Sequence, residues 1–325
     1  GMADLAGRGR GTVSLPEMRK AGIGLCVATQ IAGCMKPAGP VGTCDSPEEA
    51  WEITQEQLAW YRAMEDAGKM RQVCSWEAIE THLEDWNADP ENTPIGYILS
   101  LEGADSIRQL DDLETAYEYG LRAIGPAHYG KGRYALGHDE DGPLSPEGRE
   151  MLRKMDSLGI ILDVTHLCDK TFWEAIDLYQ GPAWASHHNC RAIVDNPRQL
   201  SDNQIKALAE RDAVIGLAFD AWMVAPGWKR GSTTHEDLPH ATLEAAADHV
   251  DHVCQLLGTS RHTGIGSDLD GGFGNEQTPA GMDTIFDLLK FHAILGQRGY
   301  SSKDLEGIFS GNFLRFLENA WNSTT

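Results

Sequence analysis

The chain has 325 residues, with 27 Lys and Arg against 49 Asp and Glu, a formal net charge of −22, 41% hydrophobic and 23% charged side chains. This is the balance of a soluble globular protein, long for the usual ~150-residue domain but normal for an α/β barrel. So acidic a surface repels phosphate backbones and argues against a nucleic-acid partner.

No apolar run approaches the roughly 18 residues that span a bilayer, and the opening Gly1-Met2-Ala3-Asp4 lacks the apolar core of a signal peptide, so no membrane partner is expected. Seven cysteines, Cys26, Cys34, Cys44, Cys74, Cys168, Cys190 and Cys254, make an odd count with no Cys-x-x-Cys pair. They read as reduced thiols in a cytoplasmic protein.

In chain order, short β-branched or apolar runs alternate with longer amphipathic stretches. The first predicted strand is 23–29. Ser46-Pro47-Glu48-Glu49 then opens a helix, with serine as N-cap, proline at the first position and glutamate at the third, that ends near Gly68. Strand 95–101 runs into Glu102-Gly103, and strand 121–126 into His128. Ser145-Pro146-Glu147 caps the next helix, and strand 160–165 runs into His166. Strand 183–187 ends at His187-His188, and Ser201-Asp202-Asn203-Gln204 repeats the capping device. After strand 213–219, a helix from Thr242 carries Leu243, Ala246, Val250, Val253 and Leu257 as a packing stripe. Strand 263–267 runs into Asp268-Leu269-Asp270-Gly271-Gly272. Such βα units predict an α/β fold in a single domain, 1–325, with 1–14 an irregular N-terminal segment. The count is seven strands, where a closed (β/α)8 barrel needs eight.

In a parallel barrel the chemistry sits at the C-terminal ends of strands. Five of the seven predicted strands end on a histidine or carboxylate, more than chance placement of 12 histidines would give. Any one of them reads as a loop bond or helix cap; jointly they are the donors a divalent metal such as zinc requires. Elsewhere the expectations are structural. His82, His249, His252 and His292 fall in helical patterns, as solvated or core-edge residues. His138-Asp139-Glu140-Asp141 reads as a solvated loop face, and His235-Glu236-Asp237 as a loop despite its His-x-Asp spelling. Cys168 and Cys190 read as small buried thiols early in the following helices. Trp222, Trp228 and Tyr134 are left open between pocket lining and loop packing.

Ser100-Leu101-Glu102-Gly103, Leu162-Asp163-Val164-Thr165-His166, Ser186-His187 followed by Asn196-Pro197-Arg198, and Gly264-Ile265-Gly266-Ser267-Asp268-Leu269-Asp270-Gly271 resemble the signature segments of the membrane (renal) dipeptidase family of zinc metallopeptidases. Leu144-Ser145-Pro146-Glu147-Gly148-Arg149 extends the likeness, which runs from about Ser14 to the last helix. The resemblance implies a TIM-like (β/α)8 barrel of the metal-dependent hydrolase type and hydrolysis of dipeptides by a metal-activated water. It implies Glu102 as a carboxylate bridging two zinc ions, and His166 and His187, 21 positions apart, as imidazole ligands. Asp268 would carry the proton of the attacking water, His128 would contact the scissile carbonyl, and Arg198 would pair with the substrate's C-terminal carboxylate.

The family's first strand ends in a His-x-Asp pair, and no histidine precedes Leu15 here. The short strand count and the absent pair read as one absence: strand 1 is missing or replaced. One firmly bound zinc is then expected, against two in a complete member, and the unpaired edges would suit a homodimer. Two other readings stand beside the dipeptidase: an amidohydrolase acting on acyl-amino acids or lactams, and a non-catalytic peptide-binding relative.

Overall fold

The run from Ile95 to Leu101 is apolar on both faces, the pattern of a parallel strand covered on both sides, and every one of its residues is buried. In the computed structural model, which describes residues 11–34 and 44–322, it forms the middle of a six-stranded parallel sheet. The chain divides into two compact units, Ile23–Trp184 with Glu318–Thr325, and Gly1–Gly22 with Ala185–Leu317.

The first unit holds β1 (Leu25–Ile31), β2 (Met70–Gln72), β3 (Ile95–Glu102), β4 (Leu121–Gly125), β5 (Ile161–Asp163) and β6 (Ala183–Trp184). β1 runs along the whole of β3, from Leu25 opposite Gly96 to Ile31 opposite Glu102. β2 pairs with the start of β3 and β4 with its end, where a register shift at Leu99/Ser100 bends the ladder. The strand missing from the sequence count is β2: three residues are too short for a readable period. The count of seven therefore gives no evidence of a strand lost ahead of β1. Residues 1–10, most of the expected irregular 1–14 segment, lie outside the described residues.

The second unit holds β7 (Ile215–Leu217) and β8 (Thr263–Ile265), also parallel. Their backbones approach the end of the preceding segment so closely that a Cβ on Gly216 or Gly266 would lie 1.9 or 1.8 Å from the Ser186 carbonyl. Among the described residues the pairing falls into a six-stranded and a two-stranded sheet without a closed ring, and the α/β fold of parallel strands alternating with helices is the one expected from the sequence.

The expected caps form. Ser46 Oγ accepts from Glu49 N, Ser145 Oγ from Gly148 N, and Ser201 and Gln204 close a full capping box. The helix Leu243–Leu257 buries Leu243, Ala246, Val250 and Val253 as predicted. Two histidines depart from expectation, because both are core residues. His82 is fully buried, its Nε2 donating to Gly24 O at 2.7 Å across the space left by Gly96. His249 is 1% exposed. No helix among the described residues is long and apolar enough to cross a membrane.

Candidate active site

Parallel strands deliver their C-terminal ends to one side of a sheet, and in the first unit this gathers Glu102 at the end of β3, His128 after β4 and His166 after β5. His166 Nε2 lies 2.9 Å and His128 Nε2 3.9 Å from the same oxygen, Glu102 Oε1. The two imidazoles meet edge to face, centroids 4.5 Å apart, and Tyr129 packs against both. His166 has φ 69°, in the left-handed region that a non-glycine residue occupies at a cost of order 1–3 kcal/mol. Its ring is 3% exposed, and its Nδ1 lies 3.3 Å from His138 Nδ1.

His138 is the residue that sequence reasoning missed. Expected on a solvated face, it is 7% exposed, meets Tyr129 edge to face and lies tilted against His166. The loop between β4 and the next helix folds back through bridges from Lys131 to Leu136 and from Gly137 to Leu167, and this places His138 behind His166. An imidazole whose far nitrogen is held by a second group while its near nitrogen faces a carboxylate has the arrangement of a metal ligand with its outer-sphere partner. The donors therefore fit a zinc-type ion.

In the second unit, His187 Nε2 lies 4.0 Å from Asp268 Oδ1, while Ser186 Oγ lies 2.9 Å from His187 Nδ1. The adjacent His188 points the other way, its Nδ1 3.2 Å from Arg198 Nη1. Arg198 is 1% exposed and also donates to His187 O at 3.0 Å, so this guanidinium braces the histidine pair from inside. Asp268 and Asp270 both have positive φ, 58° and 60°. Asp270 accepts from Thr12 N, Thr12 Oγ1 and Val13 N, which anchors the segment ahead of the first helix.

A second group went unread in the sequence. Asp220, which follows β7, is fully buried; its Oδ2 accepts from Trp222 Nε1 and Arg230 Nη2, and its Oδ1 from Gln277 Nε2, all at 2.8–2.9 Å. Of the residues left open, Trp228 packs into a buried cluster with Ala221, Ala225 and Ala241, and Tyr134 is buried with its hydroxyl on Ile107 O, so both are core. His235 bonds Thr278 O, and Asp237 caps Thr234, as expected of a loop. Cys168 is the N-cap of a helix, but Cys190 sits in an irregular segment bridged to Leu200, not in a helix.

Two buried groups of this unit titrate in opposition. Burial pushes the Asp220 carboxyl up to about 7, against the pull of Arg230 and with Asp268 adding repulsion. Burial pushes His249 down to about 4, since Cys190 N donates to its Nδ1 and its Nε2 donates to Val224 O, a pairing only the neutral ring makes. Between about pH 4 and 7 the folded chain keeps a proton on Asp220 that the unfolded chain has lost, so this group lowers stability as pH rises, by about 4 kcal/mol in all. Between about pH 4 and 6.5 the unfolded chain binds a proton that folded His249 refuses, so this group raises stability with pH, by about 3 kcal/mol. Urea unfolding across this window is expected to show His249→Gln losing stability with rising pH relative to wild type, and Asp220→Asn gaining it. Parallel profiles for the two variants would refute the assignment.

With this geometry in place, comparison with known proteins is informative. A family model described as membrane dipeptidase (peptidase family M19) matches residues 2–324. Dipeptidase tcpJ of Claviceps purpurea is 30% identical over 233 residues, 68% of this chain and 51% of that protein. A Klebsiella pneumoniae protein described only by its place in the pqqA 5′ region is 28% identical over 85% of this chain and 98% of its own length. The chain thus spans about half the length of some relatives, the Claviceps protein among them, and nearly all of others. Among solved structures, a dipeptidase AC described as a metallopeptidase superposes with a TM-score of 0.82 at 24% identity, over 96% of this chain and 90% of that one. A Rhodobacter sphaeroides metallopeptidase liganded with a phosphinate mimic of L-Ala-D-Ala superposes with a TM-score of 0.81 at 23% identity, over 97% and 92%.

Proposed function

Because the chain belongs to the membrane dipeptidase family, we propose that it is a metal-dependent dipeptidase with Glu102, His166 and His187 as its zinc ligands. The three supply one carboxylate oxygen and two imidazole nitrogens, a donor set zinc accepts while keeping open positions. The observation that carries the reading is the 2.9 Å approach of His166 Nε2 to Glu102 Oε1, with His138 against the ring's other nitrogen. His187 joins them through the family's order of sequence segments. Lacking the His-x-Asp pair, the chain holds one zinc firmly.

A bound zinc lowers the pKa of water and polarises a carbonyl. The side chains do the rest. Asp268 accepts the proton of the attacking water and returns it to the leaving amine, the division of labour of a general base and acid. His128 donates from its ring to the carbonyl oxygen as charge develops there. Arg198, expected to take the substrate's terminal carboxylate, is 1% exposed and donates to His187 O, so in this reading it positions the histidine pair. A small peptide is the partner this reading requires; a cytoplasmic location, read from the odd count of cysteines, and a homodimer, read from unpaired sheet edges, belong to the same proposal.

Purified protein is expected to hydrolyse Ala-Ala, to stop when zinc is stripped by a chelator and to resume when it is returned, with about one firmly held zinc per chain by elemental analysis. Hydrolysis indifferent to chelation would overturn the metal role. Preference for an N-acyl amino acid over the free dipeptide would favour the amidohydrolase, and binding of the dipeptide without turnover the non-catalytic relative.

A further inference from the structure

We propose that Arg230, held by Asp220, is a specificity residue that receives a side-chain carboxylate of the substrate, so that the preferred dipeptides carry an acidic residue; this rests on the dipeptidase reading. The argument starts from Asp220. A buried carboxylate needs donors, and Trp222 and Gln277 already supply two of neutral kind. The third comes from Arg230, ten positions along, on a loop opened by the turn at Gly227 (φ 93°). Its guanidinium lies 5.8 Å over the Trp222 ring, which itself bonds the same Asp220 oxygen. One oxygen thus fixes both the cation and the ring beneath it. The Arg230 side chain keeps 29% of its surface open while Asp220 is at 1%, so the charge is anchored from below and presented outward.

Its position adds the chemistry. Asp220 follows β7 and Asp268 follows β8, and Phe219 N donates to Ser267 O, which sets the two strand ends side by side. Arg230 is therefore a cation held by Asp220, whose strand end adjoins that of the residue to which we assign proton transfer. In a chain of net charge −22 an anionic substrate is repelled unless a local cation receives it. A guanidinium is suited to do so, because its planar fork matches a carboxylate.

The test compares Ala-Glu and Glu-Ala with Ala-Ala. Arg230→Gln is expected to raise KM for the better acidic peptide roughly 10–100-fold, the value of a lost charge-assisted hydrogen bond, with kcat and the KM for Ala-Ala nearly unchanged. Arg230→Lys, which keeps the charge and loses the fork, should fall between. Calorimetric binding of the same peptides in an Asp268→Asn background gives a reading that does not depend on turnover. Equal losses for acidic and neutral peptides, as a purely structural ion pair would produce, or a wild type with no preference for the acidic peptide, would overturn the proposal. Preferential binding of Ala-Glu that Arg230→Gln abolishes, in a chain that hydrolyses no dipeptide, would uphold it and sink the dipeptidase reading instead.

Discussion

Replacing Glu102 by alanine is expected to strip the chain of firmly held zinc and abolish hydrolysis, whereas His138→Ala should weaken zinc about 10–100-fold, the usual cost of an outer-sphere partner. The difference follows from what each group touches. Glu102 Oε1 is the point on which His166 and His128 converge, 2.9 and 3.9 Å away. Without that carboxylate, two imidazoles are left facing each other with no anion between them. His138 meets only the far nitrogen of His166, 3.3 Å away, so its loss frees the ring to rotate but removes no donor. Competition with a chromophoric chelator measures both constants, and thermal melting shows whether the fold survives. Equal zinc affinity in wild type and Glu102→Ala would refute the ligand assignment; a His138→Ala protein with unchanged affinity would return His138 to a packing role.

His138 also marks where the sequence stopped being legible. The strand ends were readable because period and position coincide there: Glu102, His128 and His166 each follow an apolar run, and the structure gathers these three. His138 follows no strand. It reaches His166 through a loop folded back by two isolated bridges, and a spelling of His-Asp-Glu-Asp carries no trace of such folding. Asp220 is a different kind of omission. It directly follows the run 213–219, and asking what stands one residue beyond each strand finds it. Its burial was hidden, because among the donors that make burial tolerable Gln277 is far away in sequence and Arg230 sits on a loop with no readable code. β2 escaped because three residues are too few to show alternation, and its pairing is decided by β3. His82 looked half-solvated on its helix; the absence of a side chain at Gly96 is what lets it enter the core.

Asp268→Asn is expected to lower kcat by about 10²–10⁴-fold, the contribution of a positioned general base and acid, with KM and zinc content nearly unchanged. The substitution is well suited to isolate chemistry from structure. Asp268 sits at φ 58°, a left-handed conformation that asparagine adopts readily, so the backbone has no reason to move. Its Oδ1 occupies room made by Gly271, where a Cβ would come within 2.2 Å of it, and an amide of the same shape fits the same space. His187 Nε2, 4.0 Å away, keeps a polar neighbour. What asparagine lacks is the ability to take a proton and give it back. Most of the rate should therefore be lost with zinc and fold intact, whereas a merely structural aspartate would leave the rate in place and change the melting temperature. Wild-type kcat in Asp268→Asn, with zinc bound, would remove the proton transfer from Asp268.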